Sequence, residues 1–195
     1  MARLVVSEDH NIESWAEIPA MYQTPTWQLV QNDPIAADLA EKLQRSIGYH
    51  FKYPRLARSA LTHASEMTAP VPDLQRLEFL GDACLDWVCI EWLFRTNPDK
   101  NPQWLTEHKM AMVSNKFLAA LAVVLDLDKL IQAPSTALIS DIASFASRVR
   151  AEMTSAKSEN NRSFWTKMQR PPKALADLVS LTMMLFLRSA ECVIG

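Results

Sequence analysis

The sequence predicts an all-α fold. Three observations carry that expectation. Glycine is scarce, at three of 195 residues, while alanine, leucine and methionine, all good helix formers, recur throughout. Apolar residues step by three and four through most long stretches, the spacing of one helix face. The eleven prolines fall mostly between those stretches, where a missing backbone N–H is tolerated. With 49% hydrophobic residues the chain can build a core, and its length fits one domain plus a terminal arm. Three scattered glycines exclude a glycine-rich phosphate loop.

Residues 1–34 read as an arm or connector. Pro19, Pro25 and Pro34 cut it into short pieces, and Asn32-Asp33-Pro34 is a turn signal. Trp15 and Trp27 are expected to dock it. A helix is expected from Ile35 to Ile47, with Ala37, Leu39, Ala40, Leu43 and Ile47 inward and Gly48 as the C-cap. A short helix, Leu56 to Leu61, ends in Thr62-His63-Ala64-Ser65, and a loop with Pro70 and Pro72 follows over residues 66–74.

The next helix opens with Gln75-Arg76-Leu77-Glu78-Phe79-Leu80-Gly81-Asp82-Ala83 and runs to Phe94. Leu77, Leu80, Cys84, Leu85 and Val88 repeat at helical steps. At about 100° per residue, Glu78 and Asp82 lie one above the other on one face. Such a pair is most simply a solvated stripe. It is also half of a site for a hard divalent cation, because Mg²⁺ takes carboxylate oxygens. Spacing alone leaves both open.

Residues 97–102 close that helix. Another is expected over Trp104 to Ser114, with Asn101 or Thr106 as cap. Asn115 to Leu125 places Phe117, Leu118, Leu121, Val124 and Leu125 on one side, and Leu127 to Ile131 is a short turn. A long helix, Thr136 to Lys157, carries Leu138, Ile142, Phe145, Val149 and Met153 as its core stripe. After a polar loop, Pro172 suits the first turn of the last helix, Lys173-Ala174-Leu175-Ala176-Asp177-Leu178-Val179-Ser180-Leu181. No internal repeat is present.

The net charge of −2 gives no global sign of nucleic-acid binding. Locally, Arg148, Arg150, Lys157, Arg162, Lys167, Arg170 and Lys173 face only Glu152 and Glu159. That run is either one edge of a phosphate-contacting surface or a solvated helix and loop. Cys84, Cys89 and Cys192 show no paired metal spacing, which points to a reduced intracellular setting, cytoplasmic or nuclear. The N-terminal residues lack a long apolar core and contain acids, so neither secretory nor mitochondrial targeting is expected. No run of eighteen apolar residues exists, so no membrane partner is expected.

The string from Gln75 to Ala83 closely resembles the signature helix of the ribonuclease III family. Its flanks agree: Gly48-Tyr49-His50-Phe51, then Ala60-Leu61-Thr62-His63-Ala64-Ser65. The text from Leu105 to Ala119 looks particularly like the second ribonuclease III domain of fungal Dicer-like proteins. The resemblance implies the helical ribonuclease III endonuclease fold over residues 35–187, with a tail at 188–195. It implies Mg²⁺ or Mn²⁺ as cofactor and double-stranded RNA as substrate, in RNA processing or silencing. Glu78, Asp82 and Asp177 match catalytic metal ligands. A further implication is a partner: another ribonuclease III domain, identical or heterologous, pairing through the signature helix, with Phe79 at the interface. An ordinary core phenylalanine is the alternative. His63 is expected to tie down a loop rather than catalyse.

The family pattern is lost after about Val179. Ser180 stands where the family carries a second acid on the last helix, so this metal position is degenerate: a serine offers only a short neutral oxygen. Gln75 replaces a frequent acid but is an accepted variant. Neither Glu191, about 16 Å further along a continuous helix, nor Asp86, one turn too far on the signature helix, is expected to substitute. Lys173, one turn before Asp177, is a candidate to contact the scissile phosphate or balance the carboxylates; a surface lysine is the plain alternative. Impaired cleavage is therefore expected. A non-catalytic scaffold or dimerisation partner in an RNA-processing complex is the rival. A plain helical interaction module would require the signature to be accidental.

Overall fold

The computed structural model describes residues 4–5, 11–12, 26–159 and 163–189. Its helices are α1 (Pro34–Ile47), α2 (Pro54–Leu61), α3 (Gln75–Thr96), α4 (Pro102–Met112), α5 (Asn115–Val124), α6 (Thr136–Glu159) and α7 (Lys173–Ser189). Among the described residues the only strands are β1 (Leu4–Val5) and β2 (Asn11–Ile12), which pair antiparallel with Leu4 opposite Ile12. The fold is all-α, as the sequence predicts.

The central helix is α7. Ala174, Leu175, Ala176, Leu178, Val179, Ser180, Leu181 and Thr182 are all buried, with α3 and α5 forming its main neighbours and α2 adding a smaller contact. Through Thr182 its only charged side chains are Lys173 and Asp177, four apart and so on one face. Where α3 crosses α7, Gly81 meets Ser180. A Cβ on Gly81 would lie 2.6 Å from the Ser180 carbonyl carbon and 3.1 Å from the Leu181 nitrogen. The signature glycine lets the two main chains touch.

Asp33 has a role that its turn signal does not disclose. Its carboxylate accepts from the Ala36 N–H at 2.9 Å and caps α1. It also accepts two hydrogen bonds from Arg58, at 2.9 and 3.0 Å. Arg55 Nε lies 3.2 Å away, charge-paired but off the line of a hydrogen bond. Arg55 and Ser59 donate to the carbonyls of Pro70 and Pro72, so α2 pins the loop that delivers the chain into α3. His63 does similar work: Nδ1 lies 2.9 Å from Ser65 Oγ, and its backbone N–H donates to the Gln132 carbonyl at 2.9 Å. Asn101 caps α4 through the Trp104 N–H, at 2.8 Å.

Several inward faces differ from the sequence reading. Ala36 is buried instead of Ala37. α5 buries Leu118, Ala119, Ala122 and Val123, leaving Val124 exposed. α3 buries Leu85, Cys89 and Leu93, while Leu80 is exposed. Steps of three and four define overlapping stripes, and the neighbouring helix selects one; on α3 the selection is made by the approach at Gly81. Trp27 packs against the core. Trp15, Glu191, Cys192 and residues 190–195 lie outside the described residues.

Candidate active site

A cavity of about 320 Å³ opens among α3, α5 and α7. Glu78, Asp82 and Asp86 border it from α3, Asn115 from α5, and Lys173, Asp177 and Ser180 from α7. Glu78 and Asp82 share a face because they stand one turn apart. Asp177 joins them because, through Thr182, it is one of two charged side chains on the buried helix α7. The structure thus brings together every predicted site residue except Phe79.

Lys173 sits between two of the acids. Its ammonium donates to Asp177 Oδ1 at 2.8 Å and to Glu78 Oε1. Partial burial works against its charge, but hydrogen bonds and attraction from Asp177 and Glu78 outweigh that and hold its pKa above the ordinary lysine value. Burial pushes the Asp177 carboxyl up. The Lys173 hydrogen bond opposes this, the charges of Glu78 and Asp82 reinforce it, and the result lies above the usual aspartate value. Lys173 is an exposed side chain that also pairs with two acids of the cavity.

Ser180 is buried, with its main chain against Gly81, and it borders the cavity. It brings no charge. Asp86 borders this same cavity, one turn beyond Asp82. It is not unattended, because Lys109 donates to both its oxygens, at 3.1 and 3.2 Å. The signal was present in the sequence, since 78, 82 and 86 continue one helical stripe. Asn115 gave none beyond its place in the resembling text.

Phe79 does not border the cavity and is 84% exposed, so it is not a core residue. Trp87, Ile90 and Phe94 continue its exposed face along α3. In the basic run, Arg150 is taken up by Asp126 and Asp128 and Lys167 by Glu152. Arg148 lies over the Phe145 ring. Lys157 and Arg162 fall outside the described side chains. Among the described side chains of the run, Arg150 and Lys167 are paired with acids, while Arg148 and Arg170 are exposed.

The acids of the cavity are the hard oxygen donors that Mg²⁺ takes. Their chemistry fits such an ion, and in the present arrangement two of them pair with a lysine. The place between Glu78 and Asp177 is filled by the Lys173 ammonium, and among the described residues no three acid, histidine or cysteine side chains converge as an ion cage. Among the described residues, no helix is long and apolar enough to cross a membrane.

Residues 75–180, more than half of the chain, match the model of the Ribonuclease III domain. Dicer-like protein 1 of Aspergillus terreus is 47% identical over 182 residues, taking in 92% of this chain and 12% of the relative. The Neurospora crassa Dicer-like protein 1 is 39% identical over 191 residues, 90% of this chain and 12% of the relative. The chain therefore spans about 12% of the length of these relatives. Among solved structures, the nuclease domain of ribonuclease III from Campylobacter jejuni is similar, with a TM-score of 0.55, 30% identity, and coverage of 77% of this chain and 85% of that one. A region involved in dimer formation is structurally flexible in that protein. The matched stretch holds both Glu78 and Asp82 of α3 and Asp177 of α7, and the chain belongs to the ribonuclease III family.

Proposed function

We propose that this chain is an endoribonuclease domain for double-stranded RNA, corresponding to the second ribonuclease III domain of a Dicer-like protein, and that its cleavage with Mg²⁺ or Mn²⁺ is impaired. The observation that carries this reading is the meeting of Glu78, Asp82 and Asp177 in one cavity within the family-matched stretch. These three are assigned to metal binding and catalysis, and Ser180 marks the degenerate position. Duplex RNA would be recognised by shape, phosphates and 2′-hydroxyls, in RNA processing or silencing. The Dicer-like relatives support the substrate class. The exposed stripe of Phe79, Trp87, Ile90 and Phe94 supports pairing with another ribonuclease III domain, since contiguous apolar surface marks interaction sites. We assign residues 1–34 to an arm, 35–187 to the nuclease domain and 188–195 to a tail. The compartment proposed is intracellular; the free thiols of Cys84 and Cys89 agree with a reducing one.

The test is incubation of the purified chain with long double-stranded RNA and Mg²⁺. Slow cleavage that disappears in Asp82→Ala is the expected result. RNA left intact by the wild type overturns the enzymatic reading. A second reading, a non-catalytic scaffold or dimerisation partner, is favoured by Ser180 and by the lysine between Glu78 and Asp177. It predicts stable pairing with an active ribonuclease III domain and RNA binding that is indifferent to metal.

A further inference from the structure

We infer that Lys173 is a built-in cation that competes with divalent metal for Glu78 and Asp177, so that lysine pairing and ion binding at this cavity are mutually exclusive. The inference rests on the proposed function only in treating the cavity as a place where a divalent ion would bind.

Three features carry it. First, the ammonium bridges the two helices, donating to Asp177 on its own helix and to Glu78 on α3. An ion bound by both carboxylates would need the same space. Second, the position is built into the chain. Pro171-Pro172 sets the start of α7, the Leu175 N–H closes the first turn on the Pro172 carbonyl at 3.0 Å, and Lys173 then stands one turn before Asp177. A tethered group acts at an effective concentration that a free ion must exceed. Third, Ser180 leaves the contest to lysine. Glu78, Asp82 and Asp177 with Lys173 leave two negative charges, because the buried residue 180 is neutral. Asp86 adds little pull, being neutralised by Lys109. Lys173 itself is largely exposed, with 64% of its side chain open to solvent, so it can swing out without unpacking the core.

The experiment uses Mn²⁺ alone, without RNA. Isothermal calorimetry compares the wild type with Lys173→Met, which keeps the apolar stem and removes the charge. At least tenfold tighter Mn²⁺ binding by Lys173→Met is expected; equal or weaker binding overturns the inference. A second measurement needs no variant. Acetylation of Lys173 by an amine-reactive reagent, followed by mass spectrometry, is compared with that of exposed Lys116 in the same wild-type protein. Saturating Mn²⁺ is expected to accelerate Lys173 modification severalfold relative to Lys116, and an unchanged ratio overturns the inference. Tighter binding by Lys173→Met without RNA cleavage by either protein would sink the endonuclease reading alone. Cleavage with unchanged Mn²⁺ affinity would sink the lysine competition alone.

Discussion

Gly81 and Ser180 touch main chain to main chain at the crossing of α3 and α7. A methyl group on Gly81 would stand 2.6 Å from the Ser180 carbonyl carbon, and neither backbone is free to yield as a flexible side chain would. This contact sets the distance between the helix carrying Glu78 and Asp82 and the helix carrying Asp177. Gly81→Ala in an open helix would stabilise by about 1 kcal/mol through propensity. Here overpacking is expected to prevail, with a net loss of about 2–3 kcal/mol in urea unfolding. A net gain would show that the helices are not in this contact.

The Asp33 cluster is expected to anchor the approach to α3. Burial raises the Asp33 carboxyl, but the Ala36 N–H and the Arg58 and Arg55 guanidiniums outweigh it and hold the pKa below the ordinary 3.8. A depressed carboxylate contributes stability that is complete above the unfolded value and is lost as pH falls through the lower folded value. Asp33→Asn keeps the cap acceptor but strands two arginines, and should cost about 3 kcal/mol at pH 7. The gap to the wild type should narrow below about pH 4. Paired thermal melts across that range check it; a constant gap would contradict the ion-pair account.

Phe79 should matter for association and not for folding. Its side chain is almost wholly exposed, so Phe79→Ala is expected to shift stability by no more than about 0.5 kcal/mol. Pairing, measured by sedimentation equilibrium, should weaken at least tenfold, the effect of losing about 1.4 kcal/mol. Undiminished association would place the partner elsewhere.

The helical class and the two acids of the signature helix were legible because a period near 3.6 and an i,i+4 pair are local properties. Asp177 was legible through the resembling text of α7. What was not legible depends on partners distant in sequence. Nothing local says that Asp33 will meet Arg58, or that Lys173 will reach Glu78 across two helices. Nor does anything local say that Asp86 will be paired with Lys109. The inner faces of α3 and α5 slipped to adjacent stripes, a choice made by packing against α7.

On the proposed function, the missing acid at position 180 is what limits cleavage. The direct measurement is the initial rate of long double-stranded RNA cleavage in Mg²⁺ by Ser180→Glu and by the wild type, each at equal folded fraction. A rise of at least tenfold, about 1.4 kcal/mol of activation free energy, is predicted. Equal rates for the two proteins would contradict the account.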